Sequence, residues 1–133
     1  MNMFWRFHHA GMATASIDRA LGRLSDVGIG EVTEFVDPLQ GIRGMFVEIG
    51  DSRVELLEPI DGDETLAPWL EHGNRVYQIA FEVDDLDAEI EQARSNRVRI
   101  VREPLPAVAF GGRRVAFLMP LPGMLIELIE TTN

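Results

Sequence analysis

The chain has 133 residues, a formal net charge of −10 at pH 7 and no cysteine. This length predicts a single domain over residues 1–133, and the acidity argues against nucleic acid as a partner. Without cysteine or lysine, the chain can form no disulfide, thiolate metal site or Schiff base. It has no apolar stretch of membrane-spanning length and no signal-peptide pattern, so a cytoplasmic protein that does not enter the membrane is expected.

The first half of the chain predicts a strand, a helix and three further strands. Residues 4–13 are rich enough in aromatic and apolar side chains to form a strand. Ser16 is a candidate N-cap for the helix that follows. The apolar stripe of this helix consists of Ile17, Leu21 and Leu24. Three strands are predicted next, over 31–36, 42–49 and 53–58.

The second half repeats this order after a polar connection at 60–74, which is interrupted by glycine and proline and contains a predicted helical turn at 66–70. Asp84 is a candidate N-cap for the second helix. The apolar stripe of that helix consists of Leu86, Ile90 and Ala93. Strands are predicted over 75–83, 97–101, 114–119 and 124–131. Pro104 and Pro106 are expected to end the second of these strands.

The two halves are therefore interpreted as modules 1–59 and 75–133, related by an internal repeat and joined by the linker 60–74. Residues 54–58, Val-Glu-Leu-Leu-Glu, recur 72 residues later as Ile-Glu-Leu-Ile-Glu at 126–130. Each module has the order βαβββ, and one such module alone leaves a sheet face exposed. We therefore predict an α+β fold in which two βαβββ modules, related by a pseudo-twofold axis, form a curled mixed sheet around a cup-shaped cavity.

Each copy of the repeated phrase places a carboxylate, Glu55 or Glu127, within an apolar strand. Successive side chains of a strand point to opposite faces, and both faces are apolar here. An unpaired carboxylate in such surroundings is strongly unfavourable, so each glutamate needs a partner. A metal ion, an arginine and the other carboxylate are the three alternatives, and the phrase alone leaves them open.

The repeat also relates two positions that precede the helices. His9 lies eight residues before Ile17, and Gln78 lies eight residues before Leu86. Taken singly, each polar residue is more often structural than a ligand, but together the four repeat-matched residues form a candidate ligand set: His9, Glu55, Gln78 and Glu127. One nitrogen with hard oxygen donors suits a divalent Ni, Co, Mn, Zn or Fe ion. His8 points to the other face of its strand and is interpreted as structural.

Arginine is concentrated in one stretch of this acidic chain. Six arginines lie between positions 94 and 114, where the sequence contains one acid, Glu103. Such a concentration of guanidiniums is typical of a site that holds a phosphate or carboxylate group. The alternative, which is slightly favoured, is that these arginines pair with the acid-rich helices.

Together these features resemble the vicinal oxygen chelate superfamily, which includes glyoxalase I, methylmalonyl-CoA epimerase, bleomycin-resistance proteins and extradiol dioxygenases. The resemblance covers nearly the whole chain. Residues 9–13, His-Ala-Gly-Met-Ala, are similar to the opening strand of the family, and 54–59 resemble the fourth strand of its epimerase-like members most closely. Residues 79–85, Ile-Ala-Phe-Glu-Val-Asp-Asp, resemble the start of the second module. The segments 114–118 and 125–128 resemble its end.

The resemblance implies the paired βαβββ fold, with metal ligands at the four positions named above. It also implies a catalytic role for Glu127, which in glyoxalase I corresponds to the base that takes a proton next to the substrate carbonyl. A dioxygenase is disfavoured because the usual iron triad has two histidines and one carboxylate.

Two positions depart from the epimerase pattern. Gln78 stands where epimerases usually have a histidine, although some glyoxalase I enzymes combine one Gln, one His and two Glu. Leu39 stands where epimerases carry a glutamate, one of their acid/base pair, just before the Gln-Gly of 40–41. Epimerisation with two bases then requires Asp37 or Glu48 to act instead.

The expected function is that of a divalent-metal-dependent lyase or isomerase, either methylmalonyl-CoA epimerase-like or glyoxalase I-like. The expected substrate is a small molecule such as a CoA or glutathione thioester or hemithioacetal, bound by Arg113, Arg114 and Phe110. The family also implies a homodimer. The alternative is a metal-free small-molecule binding protein of the bleomycin-resistance type, with stacking surfaces at Trp5, Trp69, Tyr77 and Phe110.

Overall fold

The computed structural model describes residues 5–71 and 73–131, and these residues divide between two compact units. One unit runs from His9 to Tyr77, and the other combines the residues up to His8 with those from Gln78 onward. The predicted modules 1–59 and 75–133 have other bounds, because the unit His9–Tyr77 includes the predicted linker 60–74, and the residues before His9 group with those from Gln78 onward. The assignment of 1–133 to a single domain stays a prediction.

The described residues form eight strands and three α-helices. The strands are β1 (Arg6–Ala13), β2 (Val32–Asp37), β3 (Ile42–Ile49), β4 (Ser52–Pro59), β5 (Arg75–Val83), β6 (Arg99–Pro106), β7 (Arg114–Leu121) and β8 (Met124–Glu130). The helices are α1 (Ile17–Leu24), α2 (Ala67–Leu70) and α3 (Leu86–Ser95). This order confirms the predicted βαβββ succession in each half. The predicted first strand began at Phe4, which lies outside the described residues. No described helix is long and apolar enough to cross a membrane.

In the unit His9–Tyr77 the strands follow the order β2-β3-β4-β1, with β1 and β4 parallel and the other pairs antiparallel. Helix α1 begins at the predicted cap, because the Ser16 side chain accepts a hydrogen bond from the Arg19 backbone N–H. The helix buries Ile17 and Ala20 against one face of this sheet. Its contacts there are Met45, Val47 and Leu56. The candidate ligands of this unit, His9 and Glu55, therefore lie on the opposite face of the same sheet.

The second unit repeats this arrangement with the order β5-β8-β7-β6, in which β5 and β8 are parallel and the other pairs are antiparallel. Helix α3 buries its predicted stripe, Leu86, Ile90 and Ala93, against the sheet. The strand residues of this core are Val83, Ala116, Leu118 and Leu128. Both helices thus cover one sheet face of their own unit, as the apolar periodicity predicted.

Asp85, and not the predicted Asp84, caps helix α3. The Asp85 side chain accepts a hydrogen bond from the Ala88 backbone N–H at 3.0 Å. Asp84 instead accepts from Arg6 at 2.9 Å and from the Thr131 hydroxyl at 3.3 Å. The sequence offers two adjacent carboxylates, and the long-range partners of Asp84 decide between them.

Pro104 and Pro106 do not end the strand that contains them, so that prediction was wrong. Strand β6 runs from Arg99 to Pro106 and pairs with β7 at the edge of its sheet. A proline lacks the backbone N–H, but an edge strand needs no donor on its outer side. The pairing also shifts between Ile100 and Arg102 and again between Arg102 and Leu105, which is typical of β-bulges.

Gly44 in β3 lies under the ring of Phe35 from the neighbouring strand β2. A Cβ atom at position 44 would occupy the space of the Phe35 ring carbons, and the two residues are direct cross-strand partners. The glycine therefore permits the close approach of the ring to the backbone.

We expect Gly44→Ala to destabilise the protein by about 1–3 kcal/mol, because the added methyl group forces the Phe35 ring and the backbone apart. The matched control is Gly22→Ala in α1, where an added Cβ meets no heavy atom within 4 Å. That change should stabilise the helix by about 0.5–1 kcal/mol. Urea denaturation followed by circular dichroism measures both, and equal effects would contradict this account.

Candidate metal centre

His9 and Glu55 lie side by side on the parallel strands β1 and β4. Glu55 is the cross-strand partner of Gly11, and His9 lies two residues before Gly11 on the same face. The distance from His9 Nε2 to Glu55 Oε1 is 3.1 Å, and the two residues are 0% and 4% exposed. The sheet of this unit thus holds a buried imidazole and a buried carboxylate in contact.

Gln78 and Glu127 occupy the same positions on the parallel strands β5 and β8 of the other unit. Glu127 is the cross-strand partner of Ala80, and Gln78 lies two residues before Ala80. Both side chains are 3% exposed. Each unit therefore offers one donor from its first strand and one glutamate from its last strand, in an identical backbone register. The repeat seen in the sequence is present in the strand pairing itself.

The chemistry of these donors fits a divalent cation. Each unit offers a buried glutamate together with a second buried donor, His9 in one unit and Gln78 in the other. Buried carboxylates require compensation of their charge, and an imidazole nitrogen with carboxylate oxygens is a ligand set that divalent transition metals accept. Both glutamates are buried, and the ligand set of His9, Glu55, Gln78 and Glu127 stays a prediction.

A phenylalanine lies across the antiparallel pairing from each of these glutamates, a feature that the sequence reasoning missed. Phe46 is the cross-strand partner of Glu55, and Phe117 is the partner of Glu127. The Phe46 ring also meets the His9 ring edge to face, with centroids 5.2 Å apart. The signal was present, because a phenylalanine precedes the glutamate by nine residues in one module and by ten in the other.

The second glutamate of each repeated phrase pairs with arginine. Arg43 donates to Glu58 Oε1 at 2.5 Å, and the other oxygen of Glu58 accepts from the Ile17 backbone N–H at 2.7 Å. In the other module Arg114 donates to both oxygens of Glu130, at 3.0 and 2.7 Å. These two glutamates fasten neighbouring strands together, and Glu58 also satisfies a donor at the start of α1.

Arg113 and Arg114, two of the predicted substrate contacts, are held by carboxylates. Arg113 donates to Glu82 at 2.9 Å, and its guanidinium lies 5.7 Å from the centre of the Phe110 ring, the third predicted contact. Arg114 adds a 3.1 Å bond to Asp87 on α3. These pairs support the alternative in which the arginines neutralise acidic elements. Substrate binding by Arg113, Arg114 and Phe110 stays a prediction.

Neither of the residues that would replace the epimerase glutamate is arranged as a base. The carboxylate of Asp37 accepts from the backbone N–H groups of Leu39 and Gln40 and from the Gln40 side chain, at 3.1, 3.3 and 2.8 Å. It therefore holds the turn between β2 and β3. Glu48 is exposed near the end of β3. Leu39 itself is 66% exposed.

Comparison with known proteins places the chain in a family. The sequence model of the glyoxalase/bleomycin resistance protein/dioxygenase superfamily matches residues 8–117. The chain belongs to this superfamily.

Among its relatives is the mitochondrial methylmalonyl-CoA epimerase of Homo sapiens, 28% identical over 92% of this chain and 72% of that protein. The crystal structure of methylmalonyl-CoA epimerase from Mycobacterium tuberculosis is 32% identical, with a TM-score of 0.83 over 96% of this chain and 89% of that one. A variant of the Streptomyces coelicolor epimerase, in complex with 2-nitronate-propionyl-CoA, gives 29% identity and a TM-score of 0.82 over 96% and 98%. These comparisons confirm the predicted α+β fold of two βαβββ modules in a curled mixed sheet. They also confirm the predicted resemblance to methylmalonyl-CoA epimerases.

The ion pair between Arg113 and Glu82 predicts a pH-dependent contribution to stability. The hydrogen bond from Arg113 is the main reason that the pKa of Glu82 lies below its ordinary value of 4.5. A carboxylate with a lowered pKa stabilises the fold above its unfolded pKa, and the contribution is lost as the pH falls through the folded pKa.

We therefore expect Glu82→Gln to lower the free energy of unfolding by about 1 kcal/mol or less at pH 7, with the difference shrinking below pH 4.5. Urea titrations between pH 3 and 7 measure this. Asp61→Asn, at an exposed position in the connection, is the control and should show no such trend. A deficit of Glu82→Gln that grows toward low pH would contradict the assignment.

Proposed function

We propose that this protein is a divalent-metal-dependent lyase or isomerase that removes the proton next to the carbonyl of a CoA thioester related to methylmalonyl-CoA. Its divalent metal would be held by His9, Glu55, Gln78 and Glu127. Support comes from the relatives named above and from the ligand of the Streptomyces coelicolor variant, which is a CoA derivative. A glyoxalase I-like reaction on a glutathione adduct is the variant of this proposal that the ligand set favours.

The observation that carries the proposal is the identical register of the two donor pairs. His9 precedes the partner of Glu55 by two residues, and Gln78 precedes the partner of Glu127 by two residues. Core polar residues that serve only their own module need not match in this way. When bound, a Ni, Co, Mn, Zn or Fe ion would polarise the substrate carbonyl and make the adjacent proton acidic.

Glu127 is the proposed base. It is 3% exposed, with Phe117 and Ala80 as its cross-strand neighbours, so water has little access to its carboxylate. A carboxylate with few water molecules to displace can accept a proton from carbon without first losing its hydration. Glu55, whose carboxylate lies 3.1 Å from His9 Nε2, would be the neighbouring ligand and add negative charge to the ligand set.

Leu39 stands where epimerases carry one glutamate of their acid/base pair, so the simplest mechanism here uses a single base. One carboxylate returns the proton to the face from which it was taken, whereas inversion requires a second donor on the other face. In deuterium oxide the α-proton of methylmalonyl-CoA should therefore exchange faster than the configuration inverts. Proton NMR and a chiral assay measure the two rates on one sample. Inversion as fast as exchange would contradict the single-base assignment.

We expect Glu127→Gln to lower the rate of α-proton exchange by about 10²–10⁴-fold, because the amide keeps the size of the side chain but cannot accept the proton. Glu130→Gln, three residues further along β8, is the matched control. It loses the bonds to Arg114 and should cost stability while leaving the exchange rate within about threefold of the original. A Glu127→Gln protein that retains exchange would exclude this residue as the base.

Metal analysis of protein purified without added metal tests the ligand set. Loading with Ni, Co or Mn should give about one ion per chain, and His9→Ala should weaken that binding by about tenfold or more because a direct ligand is lost. The control is His8→Ala, since the His8 ring meets Phe110 at 5.4 Å and lies on the other face of β1. Equal metal affinities in the two variants would contradict the proposed set.

The relatives do not favour the alternative of a metal-free binding protein. The Trp69 and Tyr77 rings stack at 5.0 Å and pack against buried residues of the first unit, so their faces already serve its core. Ligand binding that is unchanged by a chelator would nevertheless support this alternative. A homodimer in the cytoplasm stays a prediction.

A further inference from the structure

Arg102 faces the same side of its sheet as the proposed base. The pairing joins Arg102 on β6 to Phe117 on β7, and Phe117 in turn to Glu127 on β8. Residues paired directly across neighbouring strands point to the same face. Arg102 therefore stands two strands from Glu127, or about 10 Å at the usual strand spacing.

Arg99 joins Arg102 on this face because strand β6 is irregular. Its cross-strand partner is Met119, which lies two residues beyond Phe117 and shares its face. In a regular strand, residues three apart would point to opposite sides. The register shift between Ile100 and Arg102 removes that alternation, while Ile100 packs against the core on the helix side.

The guanidiniums of Arg99 and Arg102 form no hydrogen bond or ion pair with any side chain or backbone group in residues 5–71 and 73–131. This distinguishes them from three nearby arginines that have carboxylate partners: Arg94, Arg113 and Arg114. The adjacent acid, Glu103, points to the other face of β6 and accepts from Arg94 at 2.9 Å. Arg102 is half-buried, so its charge is partly withdrawn from water without a carboxylate to balance it.

We propose that Arg102 and Arg99 bind an oxyanion of the substrate whose reacting carbon lies at Glu127. This inference rests on the proposed function. It adds the residues that would bind the anionic group of the substrate. The ligand chemistry is a phosphate of the CoA moiety or the free carboxylate of the acyl group, since guanidinium recognises both through paired hydrogen bonds. A chain of net charge −10 repels an anionic substrate, and two uncompensated guanidiniums offset that repulsion at this face.

The test compares Arg102→Gln, Arg99→Gln and the double variant with Arg94→Gln, all in the full-length, metal-loaded protein. Calorimetry measures the Kd for methylmalonyl-CoA and for methylmalonyl-pantetheine, which keeps the carboxylate but lacks the nucleotide phosphates. We expect Arg102→Gln to weaken binding by about tenfold or more, and the double variant to weaken it further, because a charge-assisted contact is lost. Arg94→Gln removes the same charge from the opposite face and should stay within about twofold.

The two ligands distinguish the source of the oxyanion. Weaker binding of methylmalonyl-CoA alone identifies a phosphate, and weaker binding of both ligands identifies the carboxylate. If Arg94→Gln weakens binding as much as Arg102→Gln, the effect is one of general charge and the inference is overturned. Unchanged Kd values, or a wild-type chain that binds neither ligand, overturn it as well. Because binding is measured apart from turnover, a chain that binds through Arg102 but exchanges no α-proton would contradict the proposed function and leave this contact standing.

Discussion

Parallel pairing of the first and last strand of each module is the constraint on which the rest of the structure depends. In the first unit β1 lies beside β4, and in the second β5 lies beside β8. This pairing brings a residue from the start of a module next to one from its end, 46 residues apart for His9 and Glu55. A two-residue hairpin cannot join parallel neighbours, and the longer connections run here through α1, β2 and β3 in one unit and through α3, β6 and β7 in the other. The helices α1 and α3 form part of these connections and cover the other face of each sheet, although they carry none of the donors.

The two carboxylates of each repeated phrase have different roles. The first, Glu55 or Glu127, is buried on the face away from the helix and belongs to the proposed ligand set. The second, Glu58 or Glu130, lies at the end of the strand and accepts hydrogen bonds from an arginine on the neighbouring strand. One short motif thus supplies both a reactive group and an ion pair that fixes the strand carrying it. Its duplication explains why two such strands occur in a chain of this size.

Much of this could be predicted from the sequence, because duplication and apolar periodicity are properties of the order of residues. The apolar stripes of both helices followed from spacing, and the burial of Glu55 and Glu127 followed from the apolar residues around them. The prediction that the prolines end β6 was wrong because a strand's position at the edge of a sheet depends on pairing with residues far away in the chain. The choice between Asp84 and Asp85 as cap likewise depended on Arg6, which lies far away in the chain. Strand ends and helix caps of this kind depend on residues in other elements, which a local sequence pattern does not include.

The irregular pairing of β6 bears on how the length of this strand relates to the charges on one face of the sheet. One additional residue, Val101, stands between Ile100 and Arg102, and the bulge absorbs it so that Arg99 and Arg102 share the face of Glu127. Deleting Val101 would make the pairing regular and would still leave Arg99 and Arg102 on one face, because only Ile100 would then separate them. Chains with this fold can therefore differ by one residue in the length of this edge strand and still present the same two charges on the face of the proposed base.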